Sequence, residues 1–243
     1  VRYLFISRFF CIFAYMKEYD SIPRIQDDGT LIGDDIWAFN KLDGQNFRVK
    51  YTAKGHDKKQ FTGFGSRHRM VDETDEQFGE AVRYFRERYE APLRQIIANN
   101  SGKKGIFNGV EEMLFVFEWY GDNSFAGFHK EGDEMKMAIT DVFMKKKGYI
   151  EPRDFYEIFC KNSTILTPEL IYHGKLTNTF INSIINNDWT KEGCEHPMVK
   201  EGVVCRRSSL MKGQRMPKCK IKTTWWLTKL HDNFSEEECK LLE

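Results

Sequence analysis

Apolar residues recur every three to four positions between Asp75 and Asn99: Phe78, Val82, Phe85, Tyr89, Leu93 and Ile96. That period puts them on one helical face, wide enough to meet a core. Pro92 falls inside the stripe, and it lacks the backbone N–H that a helix interior uses, so a kink is expected near it. Most of the remaining pattern is β-like. Ile36–Tyr51 reads as a strand, a tight turn at Leu42-Asp43-Gly44 and a second strand. Phe61–Arg69 is a short strand or glycine-containing loop, and Leu114–Tyr120, Met137–Phe143, Val199–Arg206 and Pro217–Thr224 are strands. Shorter helices are expected over Pro152–Cys160, Thr167–Ile171 and Thr177–Asn186. A terminal helix is expected over Ser235–Glu243, with Ser235 as N-cap and Glu238 three residues on. Tyr19–Gly33 is punctuated by Pro, Asp and Gly and reads as loop.

The 243 residues leave room for one large domain or two small ones, and with no repeat or linker the simplest account is a single domain over residues 16–243. Val1–Tyr15 is apolar, but it is too short to span a bilayer and Arg8 interrupts it. It is expected to be an extension outside the fold. The net charge of +1 announces no global attraction to nucleic acid, so a polyanion site must come from local clusters of Lys and Arg. The six cysteines form no C-x-x-C pair, which argues against a zinc site and a disulfide scaffold. They read as reduced thiols in a cytoplasmic protein.

Five short segments carry the chemistry: Lys41-Leu-Asp-Gly44, Ser66-Arg67, Phe117-Glu-Trp-Tyr-Gly121, Glu201-Gly-Val-Val204 and Lys220-Ile-Lys222. Each is weak alone; a lysine before a glycine turn is usually a hairpin cation. Their order gives them weight. A lysine nucleophile must be neutral, and neighbouring cations and desolvation lower a lysine pKa. Lys220 and Lys222 share a strand face and are expected to supply those cations. They also suit a triphosphate and the charge that develops on leaving pyrophosphate. Arg67 has the fork for a phosphate or sugar, Glu118 can accept from ribose hydroxyls, and Glu201 offers a carboxylate to magnesium.

Taken in order, these segments resemble the covalent nucleotidyltransferase superfamily, which includes ATP-dependent DNA ligases, RNA ligases and mRNA capping guanylyltransferases. The likeness is greatest to RNA ligases of the phage family 2 type. Asn46-Phe47 after the turn glycine and the strand Phe117–Gly121 carry that likeness, which runs from about Ser21 to Lys222. The resemblance implies an α+β, ATP-grasp-like nucleotidyltransferase domain, with antiparallel sheets and flanking helices around a nucleotide cleft. It implies that Lys41 takes AMP from ATP, with magnesium or manganese, and passes it to an RNA 5′-phosphate, which a 3′-hydroxyl then attacks. Asn40, Asp43 and Gly44 would hold the nucleotide beside Lys41. Asn46, Arg67 and Glu118 would hold phosphates, ribose or the RNA end. Glu201 would bind nucleotide and metal, and Lys220 and Lys222 the AMP phosphate. RNA ends or a nicked duplex would be the partners, with no membrane involved.

Two departures stand out. The family commonly stacks an aromatic residue on adenine just before the Asp of its next motif, and here Thr140 precedes Asp141. Ile139 or Met137 is the expected apolar cover in its place, with Phe143 pointing elsewhere. Few residues follow Lys222, so no C-terminal OB domain is expected, and either the core binds RNA alone or a protein partner supplies that domain's grip. A minimal DNA ligase, a capping enzyme and a non-catalytic RNA-binding scaffold remain the alternatives.

Overall fold

The computed structural model describes residues 16–53, 60–122, 129–161, 164–209 and 217–242. The apolar stretch Val1–Tyr15 lies outside them. In chain order the strands are β1 (Asp35–Lys41), β2 (Gln45–Thr52), β3 (Gln60–Gly65), β4 (Met70–Val71), β5 (Glu112–Tyr120), β6 (Lys136–Met144), β7 (Gly148–Tyr149), β8 (Leu170–Lys175), β9 (Gly202–Arg207) and β10 (Lys218–Lys222). They form two antiparallel sheets, ordered β4-β3-β2-β5-β6-β7 and β10-β9-β1-β8. A cleft lined by both sheets lies where they meet.

Alternation along each strand sorts side chains between cleft and core. Phe115, Phe117 and Trp119 of β5 enter the larger core, and Glu118 lines the cleft. Ile36 and Ala38 of β1 enter the smaller core with Cys205, Cys219 and Ile221, whereas Phe39 and Lys41 face the cleft. That smaller core is closed by α4 (Asn178–Ile185), capped by the Thr177 hydroxyl accepting from the Phe180 N–H at 3.2 Å.

The larger core is closed by α1 (Gly79–Tyr84), a π-helical turn (Phe85–Tyr89), α2 (Glu90–Asn99) and α3 (Pro152–Phe155). The expected irregularity therefore falls one turn before Pro92, where the ladder widens ahead of the residue that cannot donate. Phe85, Tyr89, Leu93 and Ile97 are buried, and Ile96 only partly. The wider turn moves the buried register on by one residue.

Thr167–Ile171 is not a helix. Leu170–Lys175 forms β8 on the edge of β1, with the Trp37 and His173 rings stacked at 4.1 Å. A five-residue segment cannot repay helix nucleation alone, whereas β1 offers it a row of backbone partners. Past β10, Thr223 turns the chain into α5 (Thr224–Asn233), which the sequence pattern did not reveal; its hydroxyl accepts from the Trp226 N–H at 3.1 Å. The last helix, α6 (Glu236–Leu242), has the expected capping box: the Ser235 N–H donates to the Glu238 carboxylate at 2.9 Å.

A buried ionic cluster ties the sheets together. Asp141 of β6 accepts from Lys218 of β10 and Tyr19, the latter at 3.1 Å, and lies 3.5 Å from the Arg206 guanidinium of β9. Burial works against the Asp141 charge, but Lys218 and Arg206 outweigh it and hold the carboxyl below its ordinary range. Burial pushes Lys218 down to about 8. The segment holding Tyr19 continues along β10, where the Ile25 N–H donates to the Lys220 carbonyl at 3.0 Å and the Lys220 N–H to the Pro23 carbonyl at 2.8 Å. Asp141→Ala strands two buried cations and should destabilise the fold by about 3–5 kcal/mol in urea unfolding. A loss no larger than that of an exposed ion pair, about 1 kcal/mol or less, would remove the cluster's structural role.

Candidate active site

Lys41 ends β1 directly opposite Gly202, which is also opposite Lys222 of β10. Three strands thus deliver two lysines to either side of one glycine, with Glu201 just before it. The Lys41 ammonium donates to Glu201 Oε2 at 2.9 Å, and Lys222 lies 3.3 Å from the other oxygen. A Cβ on Gly202 would sit 2.0 Å from the Ile221 carbonyl, so the closeness of β9 and β10 requires glycine. Gly44 has a similar part in the turn after Lys41. A Cβ there would meet the Trp119 carbonyl at 2.6 Å and Tyr120 Cβ at 2.7 Å.

The cleft brings together most of the expected residues. Asn40, Lys41, Asn46, Arg67, Glu118, Lys220 and Lys222 all line it. Asn46 and Glu118 are register partners across β2 and β5. Asp43, Gly44 and Glu201 do not line it; Asp43 and Glu201 act on the site through their charge beside Lys41 and Lys222.

The charge balance corrects one expectation. Lys220 and Lys222 do not leave Lys41 with a lowered pKa. Burial disfavours its ammonium, but Glu201, Glu118 and Asp43 outweigh burial and raise the pKa above the ordinary lysine value. The companions shift the other way. Burial pushes Lys220 and Lys222 down to about 8, and Lys41 adds its repulsion to both. Burial also pushes Glu118 up to about 7 and Asp43 up to about 6, with Glu201 adding to both.

The far end of the cleft holds residues that motif order did not reveal. Arg206 is buried, with its guanidinium carbon 5.2 Å from the Phe39 ring and 5.0 Å from that of Phe155, and it donates to the Thr140 carbonyl. Tyr19, Ile22, Pro168 and Val204 line the same end. Extending the Lys220, Lys222 alternation back by two residues would have found Lys218 and its partner Asp141. Nothing local marks Tyr19, which reaches Asp141 across 122 positions. Thr140 does line the cleft, and Phe143 packs against Tyr149 instead. Met137 and Ile139 lie in the larger core. They do not line the cleft, because alternation in β6 sends them to the helix-covered face.

The donor set fits a hard cation. Asn46 Oδ1 is buried without a hydrogen-bond partner beside Glu118, its register partner, and the Asp43, Glu118 and Glu201 carboxylates lie close enough to shift one another's charge. Magnesium is usually held by one or two carboxylates together with substrate phosphates. No three His, Cys, Asp or Glu side chains among the described residues are grouped so as to hold a metal ion by themselves.

Two sheets around a cleft that ends at a lysine define a nucleotidyltransferase fold. The chain belongs to the RNA ligase family, whose sequence model matches residues 34–222. Similar solved structures include a lysine-to-alanine mutant of Naegleria gruberi RNA ligase with ATP and Mn, at TM-score 0.61 and 14% identity, covering 90% of this chain and 59% of that one. The Naegleria gruberi ligase with PPi matches at TM-score 0.59 and 14% identity, with 90% and 59% coverage. Its lysine-to-methionine mutant with AMP and Mn matches at 0.53 and 15%, with 90% and 60%. This chain thus spans about three fifths of the length of those ligases. No curated protein sequence matches it. No helix among the described residues is long and apolar enough to cross a membrane.

The Glu118 carboxyl should titrate near 7 in a pH series of ¹³C spectra, with sealed assignment from a Glu118→Gln control. Lys41→Met removes the cation that favours its ionised form and should move that midpoint upward. A midpoint in the ordinary carboxylate range in both proteins would refute the crowding of charge around Lys41.

Proposed function

We propose that this protein is an ATP-dependent RNA ligase of the phage family 2 type, working through a covalent lysyl–AMP. The observation that carries the reading is the placement of Lys41 in a cleft, paired with Glu201 and accompanied by two lysines suited to phosphate. Family membership supplies the RNA class.

In the first step Lys41 Nζ attacks the α-phosphorus of ATP. A nitrogen–phosphorus bond forms and the bond to pyrophosphate breaks. The Lys41 proton on the bond to Glu201 would leave by way of that carboxylate to solvent before attack, freeing the nitrogen lone pair. Magnesium or manganese, when bound, would supply positive charge at the phosphates. Glu201, with Asp43 and Asn46 beside it, would hold that ion. Lys220, Lys222 and Arg67 would bind phosphates, opposing charge as it develops on the leaving group. Glu118 would accept from a ribose hydroxyl. The Asn40 amide oxygen suits the exocyclic amine of adenine, and Phe39, Ile22, Pro168 and Val204 provide apolar cover for the base. AMP then passes to an RNA 5′-phosphate, and a 3′-hydroxyl displaces it to form the phosphodiester.

The described residues form one nucleotidyltransferase unit in this reading. A cytoplasmic location agrees with Cys205 and Cys219, which face each other across β9 and β10 as free thiols.

Incubation with α-labelled ATP and Mg²⁺ should label the protein covalently, and Lys41→Ala should abolish the label. The wild-type protein should then seal a nicked RNA duplex in preference to the matching nicked DNA. No label from ATP would sink the enzymatic reading, and preferential sealing of DNA would replace RNA ligase with DNA ligase.

A further inference from the structure

The helix that follows β10 places an indole beside the candidate active site. Trp226 is buried, and the Lys222 ammonium lies 3.6 Å from its ring centroid. The same ammonium lies 3.3 Å from Glu201 Oε1, while Lys41 donates to Oε2 at 2.9 Å. Lys222 therefore has both a carboxylate and an indole face as partners, away from water.

The indole is placed by Thr223, the residue between Lys222 and α5. Its N–H donates to the Glu201 carbonyl at 2.9 Å, and its hydroxyl donates to the Lys200 carbonyl at 2.9 Å. The same hydroxyl accepts from the Trp226 backbone N–H at 3.1 Å and caps the helix. The backbone of Glu201 and the first turn of α5 thus share one joint. Leu230 and Cys239 pack with Trp226 in a small apolar cluster. The indole also bears on the turn after Lys41. Burial and Glu201 work against the Asp43 charge, and Trp226 joins Lys41 and Lys222 in favouring it.

The two partners of Lys222 differ in what they do to its charge. A carboxylate cancels it. An indole face attracts the ammonium through the ring quadrupole and leaves the charge in place, most strongly where water is excluded. A phosphate that reaches Lys222 replaces Glu201 as its counter-charge, whereas the indole does not compete for it. Lysine is a point charge on a flexible four-carbon stem. With the indole as its second partner, the stem stays placed during that exchange.

We propose that Trp226 is a positioning residue for the nucleotide step, its indole holding the Lys222 ammonium in place while Glu201 is exchanged for a phosphate. The proposal rests on the ligase reading of the site. It adds a residue from outside the five recognised segments, in a helix beyond the stretch 34–222 that the family model matches.

The test is a double-mutant cycle on the intact chain. Trp226→Leu should lower the rate of Lys41 labelling by α-labelled ATP and Mg²⁺ about tenfold. It should weaken the binding of inorganic tripolyphosphate, followed by calorimetry, by a similar factor. Trp226→Phe keeps a ring face and should retain most of both. If Trp226→Leu does not fold, Trp226→Met, which fills space without a ring face, takes its place. In a Lys222→Met background, Lys41, Lys220 and Arg67 remain to meet phosphate. There Trp226→Leu should change neither readout by more than about twofold, because the indole has lost the group it acts on. Leu230→Ala loosens the same apolar cluster without removing the ring beside Lys222. It should lower the melting temperature and leave labelling near the wild-type rate. An equal loss from Trp226→Leu in both backgrounds, or from Leu230→Ala, would assign the effect to packing and overturn the proposal. So would wild-type labelling and tripolyphosphate binding in Trp226→Leu, or no tripolyphosphate binding by the wild-type protein. Failure of the wild-type protein to label with ATP would instead fall on the ligase reading, and the tripolyphosphate cycle would still judge Trp226.

Discussion

The ion pair between Lys41 and Glu201 is the constraint on which the rest of the site depends. It joins the end of β1 to the start of β9 at 2.9 Å, and Glu201 shares its second oxygen with Lys222 of β10. A pair this recessed gives up much hydration, and its attraction compensates only when the geometry is good and both partners remain. The sheet register supplies that geometry by placing Lys41 and Lys222 on either side of Gly202. Glycine at that position lets the strands come close enough for one carboxylate to serve both lysines.

The cleft holds a cluster of opposed charge at each end. Near Lys41, Glu118 and Asp43 sit with pKa values of about 7 and 6, against Lys220 and Lys222 at about 8. Burial moves the two sets toward one another, because each holds its charge away from water. A polyphosphate would relieve the lysines, and a divalent cation the carboxylates. At the opposite end Asp141 is fully committed to Lys218, Arg206 and Tyr19. The first cluster is left to respond to a ligand, while the second fixes the walls around it.

Much of the site was legible because strand alternation and chemistry coincide. Lys220 and Lys222 share a face on any reading of β10, and Glu118 stands out in an otherwise apolar strand. What sequence could not give was anything dependent on distance. The sign of the Lys41 shift is a sum over burial and several charges whose separations exist only in the fold. β8 was misread because its partner, β1, lies more than a hundred residues earlier. Met137 and Ile139 were misplaced for want of knowing which face of β6 the helices cover. The π-turn before Pro92 shows the reverse case, in which the local signal was right and only its position moved by a turn.

The strap of residues 23–25 along β10 has a consequence for how the protein is made. It is bonded to the strand that carries the cleft lysines Lys220 and Lys222 and the buried Lys218. The sheet order β10-β9-β1-β8 likewise interleaves early and late segments of the chain. On the ribosome, β1 waits unpaired on its β9 side until that late strand emerges, and the strap waits longer still for β10. Long-range pairing of this kind is slow to form. No nascent fragment that stops short of β10 can bring Lys220 and Lys222 to the cleft, so its wall is completed only as that strand docks on β9.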